Sequence, residues 1–279
     1  MQDKSPIHCS LHKQILLHQM KILLNHTITQ LVAISALAAL SAVLQAQTVD
    51  RRQQGPEPAK IDGAGMRTAP SDAIVLFDGS NLDAWVTAVS EEPASWRIED
   101  GVVTVTPGSR TIKTKQAFGD IQLHLEWRPT AVIEGEGQSR GNSGIFLQSI
   151  YEVQILDSWE NPTYVNGQAG SIYLQHPPLV NAAKPPGEWQ NYDIIFKAPV
   201  FGSNGELRSP AYVTVIHNGV VVQNNVELQG ATYTPMPEYG ARCVPYAQER
   251  EQDCSGKMPL TLQDHGQVVS FRNIWVREL

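Results

Sequence analysis

The chain has 279 residues, 28 of them acidic and 21 basic, and its formal net charge at pH 7 is −7. Residues 1–46 contain three lysines and one aspartate, so the part that follows them carries −9. An acidic surface of this kind argues against nucleic acid and against anionic membranes as partners.

The N-terminus predicts a signal peptide over residues 1–46. Its core, residues 31–44, is apolar, uncharged and shorter than a membrane span, and no basic stop-transfer cluster follows it. Met20-Lys21 supplies a short basic start, so residues 1–19 are interpreted as an extension from an upstream start codon. The alternative is a buried N-terminal helix. We expect cleavage near Ala46 and a secreted or periplasmic protein without membrane attachment.

Residues 47–72 predict a flexible leader, because they are rich in Gln, Pro, Gly and charge and nearly free of large apolar side chains. Residues 73–279 are predicted to form the folded unit, and this length suits one large all-β domain. Within it the apolar pattern has period two, with turn residues between short runs and no sustained helical stripe.

The runs predicted as strands are residues 102–106, 121–128, 144–148, 151–156, 171–174, 189–197, 211–217, 220–224 and 268–277. His217-Asn218-Gly219-Val220 places Asn-Gly between two β-branched runs, which is a strong hairpin signal. Many strands, long loops and the lack of helical crossovers predict an all-β fold, an antiparallel two-sheet sandwich of jelly-roll type.

Alternation assigns a face to each residue of the strand at 151–156. Tyr151, Val153 and Ile155 are expected in the core. Glu152 and Gln154 are expected on the other, polar face. Carboxylates and amides on such a face suit the binding of sugar hydroxyls and the transfer of a proton. An ordinary solvated strand face is the alternative.

The strand at 121–128 alternates in the same way, so Leu125 and Trp127 are expected in the core and Glu126 on a polar face. We expect the two strands together to contribute carboxylates and amides to one sugar-binding concavity. Asp157 and Trp159 follow the other strand directly, and a large aromatic side chain in a loop indicates packing or stacking.

Loop residues add further candidates, since binding groups concentrate on loops held by a rigid scaffold. Arg140 and Asn142 lie in the Gly-containing segment Ser139-Arg-Gly-Asn-Ser-Gly144, for which a plain turn is the alternative. His265, between Asp264 and Gly266, is a candidate general base because an imidazole titrates near working pH. His176, followed by two prolines, lies in a rigid loop that we expect to line the same cleft.

Cys243 and Cys254 remain after processing, and an even pair in an exported protein most simply predicts a disulfide that closes a surface loop. Metal ligation is the alternative. It has little support, because no second Cys pair and no His at zinc-site spacing accompanies them.

Several mechanisms lack their sequence motif. The chain has no Gly-x-Ser-x-Gly, no His-Glu-x-x-His, no phosphate-binding Gly loop and no dinucleotide fingerprint. The retaining-glucanase pattern Glu-x-Asp-x-x-Glu is also missing, since the strand reads Glu152-Val-Gln-Ile-Leu-Asp157. Ordinary two-carboxylate glycoside hydrolysis is therefore disfavoured.

Seven segments follow one another from about residue 73 to 279: Leu76-Phe-Asp-Gly-Ser-Asn-Leu82 with Trp85, Trp96-Arg-Ile-Glu-Asp-Gly-Val102, Arg140-Gly-Asn-Ser-Gly-Ile-Phe146, Tyr151-Glu-Val-Gln-Ile-Leu-Asp157, Gly170-Ser-Ile-Tyr173, Pro185-Pro-Gly-Glu-Trp-Gln-Asn-Tyr-Asp193, and His265-Gly266 with Phe271-Arg-Asn-Ile-Trp275. In this order they resemble the 3-keto-disaccharide hydrolase domain family of secreted bacterial proteins. The resemblance implies a concanavalin A-like lectin/glucanase jelly roll that acts on glycosides already oxidised to a ketone at the sugar C3.

A C3 ketone acidifies the C2 proton, so a single base can remove it and the C1 aglycone can leave by elimination, with water added later. Under this resemblance Glu152 or His265 is the base. Glu126 or Asp157 is the acid.

The ketone oxygen would then be polarised by Arg140, by Asn142 or by a bound divalent cation. The other residues predicted to bind substrate are Gln154, Trp159, Tyr173, His176 and Trp189. A conventional glycan hydrolase and a non-catalytic carbohydrate-binding module remain alternatives on the same scaffold.

Overall fold

The described residues at the N-terminus form one long helix. A computed structural model describes residues 7–46, 57–63, 68–202, 204–240 and 256–279, and it divides the chain into two units, Met1–Lys60 and Ile61–Leu279. In the first unit α1 spans Ile7–Ala46. Its segment Leu16–Leu37 is long and apolar enough to cross a membrane by length and composition, as signal sequences near an N-terminus also are.

Two predictions concern residues outside the described part of the chain. Cys243 and Cys254, the predicted disulfide, are among them. So are residues 47–56 and 64–67, which make up much of the predicted leader.

The second unit is built from short strands. In chain order they are β1 Ile74–Phe77, β2 Trp85–Thr87, β3 Arg97–Glu99, β4 Val102–Thr104, β5 Ile112–Phe118, β6 Ile121–Pro129, β7 Ser143–Leu147, β8 Tyr151–Ile155, β9 Gln190–Lys197, β10 Val200–Phe201, β11 Leu207–Ser209, β12 Tyr212–His217, β13 Val220–Glu227, β14 Met258–Leu262 and β15 Val269–Glu278. Burial alternates residue by residue along β9 and β12. This is the pattern of a sheet with one face against a core.

The strands form two main antiparallel sheets. The eight-stranded sheet has the order β13-β12-β9-β6-β15-β4-β3, with β1 also paired to β15. The five-stranded sheet has the order β2-β5-β14-β7-β8, and β10 and β11 form a separate ribbon. The prediction of an all-β antiparallel sandwich is confirmed.

The inner faces of the two sheets meet around large aromatic side chains. Trp127 and Tyr192 of the eight-stranded sheet are fully buried, with ring centroids 5.4 Å apart. Tyr151 of the five-stranded sheet contacts Phe196 of the opposite sheet, with centroids 5.9 Å apart. The Tyr192 hydroxyl donates across the core to the carbonyl oxygen of Gln154 on β8 at 2.7 Å. These contacts establish which face of each strand points inward.

Turn chemistry explains one prediction that is confirmed and one that is wrong. β12 and β13 form the predicted hairpin through Asn218-Gly219, whose φ angles of 52° and 82° are the positive values that a type I′ turn requires. The predicted strand at residues 171–174 does not form. Leu174 has a φ of 61°, and the next two amide groups donate to the carbonyl of Ile172, so the chain turns there.

Tyr192→Phe is expected to lower the free energy of unfolding by about 1 kcal/mol, because it removes a buried hydrogen bond between the two sheets. The loss stays small because the Gln154 carbonyl keeps the bond from the Gly170 amide at 2.9 Å. Urea unfolding measures the change. Tyr212→Phe, which removes an exposed hydroxyl bonded to Glu227, is the matched control and should change stability by less than about 0.5 kcal/mol. Equal losses in the two variants would contradict the role of the Tyr192 hydroxyl.

Candidate active site

One row of side chains crosses the outer face of the five-stranded sheet. Phe146 on β7 pairs with Glu152 on β8 and with Thr261 on β14, so these three residues lie level with one another. Because Tyr151 and Val153 point into the core, Glu152 and its neighbour two residues on, Gln154, point to the outer face. The site is therefore built on the rigid sheet itself.

Neighbouring strands and loops bury the side chain of Glu152, which is only 4% exposed although it lies on an outer face. Its carboxyl group lies over Gly144 on β7, where even one methyl group would overlap Oε1. The backbone amide of Glu152 donates to Thr232 Oγ1 at 3.0 Å, and the Tyr173 amide donates to the Glu152 carbonyl at 3.2 Å. The loops that contain Thr232 and Tyr173 are thus tied to the strand at this residue.

Burial raises the pKa of Glu152 to about 8, and desolvation is the cause. Two other acidic side chains are buried to a similar degree, but each has an arginine partner. Glu126 pairs with Arg272 at 2.6 Å, and Asp157 pairs with Arg140 at 2.7 Å. In the part of the chain that the structure describes, Glu152 has no such partner. Buried charges are normally paired, so a buried acid of this kind is a candidate functional group. At neutral pH Glu152 is mostly protonated, and it exchanges its proton near pH 8.

Side-chain amides continue from Glu152 toward the loop before β7. In one orientation of its amide, Gln154 donates to Gln138 Oε1 at 3.0 Å. In the opposite orientation its nitrogen donates to Glu152 Oε1 at 3.0 Å. Asn142 donates through Nδ2 to the Gln138 carbonyl at 2.8 Å. The amide of Gln154 therefore places N–H donors directly beside the acid.

Two tyrosines flank the site at the free edge of β8, on a loop that bridges to this strand through Ile172. The hydroxyl groups of Tyr164 and Tyr173 lie 2.7 Å apart. The Tyr164 ring packs over Gly167, where any side chain would overlap it, so this glycine holds the ring in place. The pKa of Tyr164 is raised by desolvation, by the hydrogen bond to Tyr173 and by the charge of Glu152. Its hydroxyl is therefore a neutral donor at the pH where Glu152 titrates.

A cavity of about 440 Å³ lies on the other side of Glu152, over β5, β14 and β7. Its lining includes Lys113, Phe146, Tyr233, Met258, Thr261 and Gln263. Because Phe146 is the cross-strand neighbour of Glu152, the cavity begins one strand away from the acid. Its volume is within the usual range for small-molecule sites, roughly 300–1,000 Å³.

Arg140, Asp157 and Trp159 form a cross-link between two loops. Arg140 donates through Nε to Asp157 Oδ2 at 2.7 Å and through Nη2 to the Trp159 carbonyl at 2.9 Å. The other Asp157 oxygen accepts the Trp159 amide at 3.2 Å. Both oxygens of Asp157 are thus engaged, and the Arg140 guanidinium already has an anionic partner.

Glu126 and Trp189 lie on the opposite surface of the sandwich from Glu152. β6 belongs to the eight-stranded sheet, and Glu126 points away from the core between the inward residues Leu125 and Trp127. Arg272, which pairs with Glu126, lies 4.0 Å from the ring centroid of Trp189 on that same surface. The expectation that Glu126 and Glu152 share one concavity is therefore wrong. Alternation assigns the face of each strand but not the sheet to which the strand belongs.

The two predicted histidines lie at different places. His265 is exposed in the loop after β14, four residues beyond Thr261. Asp264 anchors this loop by accepting two backbone amides from the loop before β5 at 2.9 and 3.0 Å. His176 donates through Nε2 to the Glu227 carbonyl on β13 at 2.8 Å, so its ring is tied to the edge of the eight-stranded sheet.

In the described ranges, no group of three or more His, Cys, Asp and Glu side chains is arranged to hold a metal ion. The divalent cation considered from the sequence thus has no ligand set of this type among those residues. Neutral hydrogen-bond donors are present beside Glu152 instead, from Gln154 and the pair Tyr164 and Tyr173.

Sequence reasoning missed Gln138, Gly144 and Tyr164 as individual site residues. A glycine inside a strand marks a close approach, so Gly144 carried a usable signal. Tyr164 precedes an Asn-Gly pair that indicates a turn, but the direction of its ring depends on packing over Gly167. Gln138 had no sequence signal, because its role comes only from loop contacts.

Comparisons with known proteins agree with this architecture. The model of the 3-keto-alpha-glucoside-1,2-lyase-like domain matches residues 72–277. A Bacteroides thetaiotaomicron protein named 3-keto-disaccharide hydrolase is 26% identical over 298 residues, covering 88% of this chain and 96% of that protein. A crystal structure of a candidate glycosyl hydrolase from Parabacteroides distasonis is 47% identical with a TM-score of 0.75, covering 84% of this chain and 97% of that one. A second structure from that organism, 21% identical with a TM-score of 0.51, covers 74% and 94% and shows the fold alone.

Glu152→Gln is expected to change the pH dependence of stability. The carboxyl pKa is about 8 in the folded protein against 4.5 for the unperturbed group, so the folded state binds this proton more tightly. The protonated Glu152 carboxyl group therefore makes its full contribution to the free energy of unfolding below pH 4.5, and this contribution is lost as the pH rises toward 8. The difference in unfolding free energy, variant minus wild type, should therefore rise by on the order of 4 kcal/mol across this window.

Urea unfolding at pH values from 4.5 to 9 measures that difference. Glu134→Gln, a change of the same type at an exposed loop residue, is the control and should give a flat difference. A flat difference for Glu152→Gln as well would contradict the raised pKa.

Proposed function

This chain belongs to the family of 3-keto-alpha-glucoside-1,2-lyase-like domains, as its seven ordered segments predicted, and we propose that it cleaves glycosides whose sugar ring carries a ketone at C3. The Bacteroides relative named 3-keto-disaccharide hydrolase supports a substrate of this class. The observation that carries the proposal is the carboxyl group of Glu152, which is buried, has no cationic partner among the described residues and has a pKa of about 8.

A carboxylate with a raised pKa is a stronger base than an ordinary one, and a carbon acid beside a ketone needs such a base. In the proposed reaction ionised Glu152 removes the C2 proton, and the electron pair moves onto the C3 oxygen. The C3 carbonyl then re-forms as a C1=C2 double bond forms and the C1–O bond breaks. The aglycone oxygen leaves and takes up a proton from solvent while Glu152 keeps the C2 proton. The proton that water releases when it later adds at C1 restores the balance.

Water then adds across the double bond, with its oxygen on C1 and a proton on C2, which gives the free 3-keto sugar. The net result is hydrolysis. Protonated Glu152 is placed to return the C2 proton in this second step. The hydroxyl pair Tyr164 and Tyr173 is the group we assign to the C3 oxygen, because it is a neutral donor near the acid. The Gln154 amide, whose nitrogen donates to Glu152 and to the Ser143 carbonyl, orients the acid.

Ordinary glycoside hydrolysis has less support from the geometry. It uses two carboxyl groups about 5 to 10 Å apart across the scissile bond. The cross-strand neighbours of Glu152 on its own face are Phe146 and then Thr261, neither of which is acidic. Glu126 lies on the other surface, and Asp157 is paired with Arg140.

The test compares a 3-keto-glucoside with its unoxidised parent as substrates of the purified protein. Aglycone release is expected only from the keto form, and kcat/KM should rise with pH to a plateau, with a midpoint near 8, because the base must be ionised. Glu152→Gln should lower kcat by roughly 10²- to 10⁴-fold. Equal release from both substrates would favour a conventional glycan hydrolase, and sugar binding without turnover would favour a binding module.

His265→Ala separates the two bases considered from the sequence. With Glu152 as the base, this variant should keep the wild-type midpoint of the pH profile and most of its kcat. A loss of activity comparable to that of Glu152→Gln, together with disappearance of the midpoint near 8, would transfer the role to His265.

We also propose that the N-terminal apolar segment delivers the protein out of the cytoplasm. The 22-residue stretch Leu16–Leu37 is of suitable length and composition and lies near the N-terminus. Expression in a bacterial host followed by N-terminal sequencing of the exported protein should show cleavage near Ala46. Recovery of the uncleaved chain in the membrane fraction would indicate a permanent anchor instead.

A further inference from the structure

The cavity over β5, β14 and β7 and the donors at the free edge of β8 lie on opposite sides of Glu152. β8 is the edge strand of the five-stranded sheet, and the three cavity strands all lie on one side of it. Tyr164 and Tyr173 lie on the other side, on the loop that bridges to β8. The Glu152 carboxyl group itself lies over Gly144 of β7, on the cavity side.

The order of the carbon atoms in a pyranose ring predicts how the substrate is oriented in this arrangement. C1 and C3 are the two ring neighbours of C2, so a base at C2 has the ketone on one side and the glycosidic bond on the other. If the C3 oxygen meets the hydroxyl donors of Tyr164 and Tyr173 at the free edge of β8, the C1 substituent points across β7. The space available there is the cavity of about 440 Å³.

Several polar groups among the described residues of the lining already have protein partners. The Thr261 hydroxyl lies 2.7 Å from the Ser149 hydroxyl, and Lys113 pairs with Glu91 at 2.6 Å. The remaining lining is dominated by the apolar surfaces of Phe146, Tyr233, Met258, Pro259 and Ala88. A second sugar would find few free partners for its hydroxyl groups, whereas a flat apolar group would bury its surface against these side chains.

Gln263 also lines the cavity. Its Oε1 atom is buried, and among the described residues no group donates to it. Because this atom has almost no accessible surface, it offers no binding position to a molecule in the cavity.

We infer that this cavity is the aglycone subsite and that it selects a flat, apolar aglycone, such as a benzyl group, over a second sugar. The inference rests on the proposed function, because it uses Glu152 as the base at C2. It assigns Phe146, Tyr233 and Met258 to recognition of the leaving group, and none of them to proton transfer.

The test uses 3-keto-glucosides, in both anomeric forms, that differ only in the aglycone: methyl, benzyl and a second glucose. All three leave as alkoxides, and the methyl and benzyl groups leave with similar basicity, so their comparison reports on the subsite rather than on leaving-group chemistry. The benzyl substrate should have a kcat/KM roughly 10- to 100-fold above the methyl one, as expected for burial of an apolar ring. The disaccharide should show no comparable gain.

Tyr233→Ala tests the subsite with little risk to the fold, because Tyr233 is 62% exposed. It should lower the benzyl-to-methyl ratio by roughly 10-fold. Met236→Ala is the matched control, since Met236 lies in the same loop, is 81% exposed and does not line the cavity. A ratio near one in the wild type, a preference for the disaccharide, or an equal effect of both variants would overturn the inference.

Binding distinguishes failure of this inference from failure of the proposed function. If no keto-glycoside reacts, the proposed reaction is contradicted, and the subsite is then judged by spectra of protein labelled with ¹³C at the methionine methyl groups. Unoxidised benzyl glucoside should shift the Met258 methyl signal, identified with Met258→Leu, and leave that of Met236 unchanged. Methyl glucoside should shift neither. An unmoved Met258 signal at saturating benzyl glucoside would overturn the subsite.

Discussion

Removing a carboxyl group from water without giving it a cation disfavours its charged form, and among the described residues no cation pairs with Glu152. Glu126 and Asp157 are buried to a similar degree, but each is paired with an arginine. The position of Glu152 over Gly144 requires a residue without a side chain on β7. The loops that bring Thr232 and Tyr173 to its backbone complete the burial. The proposed function depends on this one carboxyl group, which has no cationic partner in the described part of the chain.

The sandwich makes the arrangement possible because its rigidity comes from the other face of the same strand. Tyr151 and Val153 fix β8 in the core, and the Tyr192 hydroxyl holds the β8 backbone at Gln154 from the opposite sheet. With the strand fixed in this way, the outer face can keep a destabilising group in a defined position. Alternate residues of this one strand therefore pack in the core or point to the candidate site. For this reason a five-residue segment contains both core positions and candidate catalytic positions.

Much of this could be predicted from the sequence, and the exceptions have physical reasons. Period-two alternation correctly placed Glu152 and Gln154 opposite Tyr151 and Val153, and Asn218-Gly219 correctly predicted a hairpin. Pairing between distant strands has no local signal, so Glu126 was wrongly expected beside Glu152. The strand at residues 171–174 was wrong because Leu174 adopts a positive φ that its residue type does not indicate. The sequence could not predict which buried acid has an arginine partner among the described residues and which does not. The arginines that pair with Glu126 and Asp157 are 146 and 17 residues away from them in the chain.

The central claim is that Glu152 is an acid of raised pKa, and a direct titration tests it most simply. Protein labelled with ¹³C at the glutamate side-chain carboxyl carbon is titrated by NMR, and the Glu152 resonance is identified by its loss in Glu152→Gln. The account predicts a chemical-shift change with a midpoint near pH 8 for this one carboxyl group. A midpoint near the ordinary value of about 4.5 would contradict it.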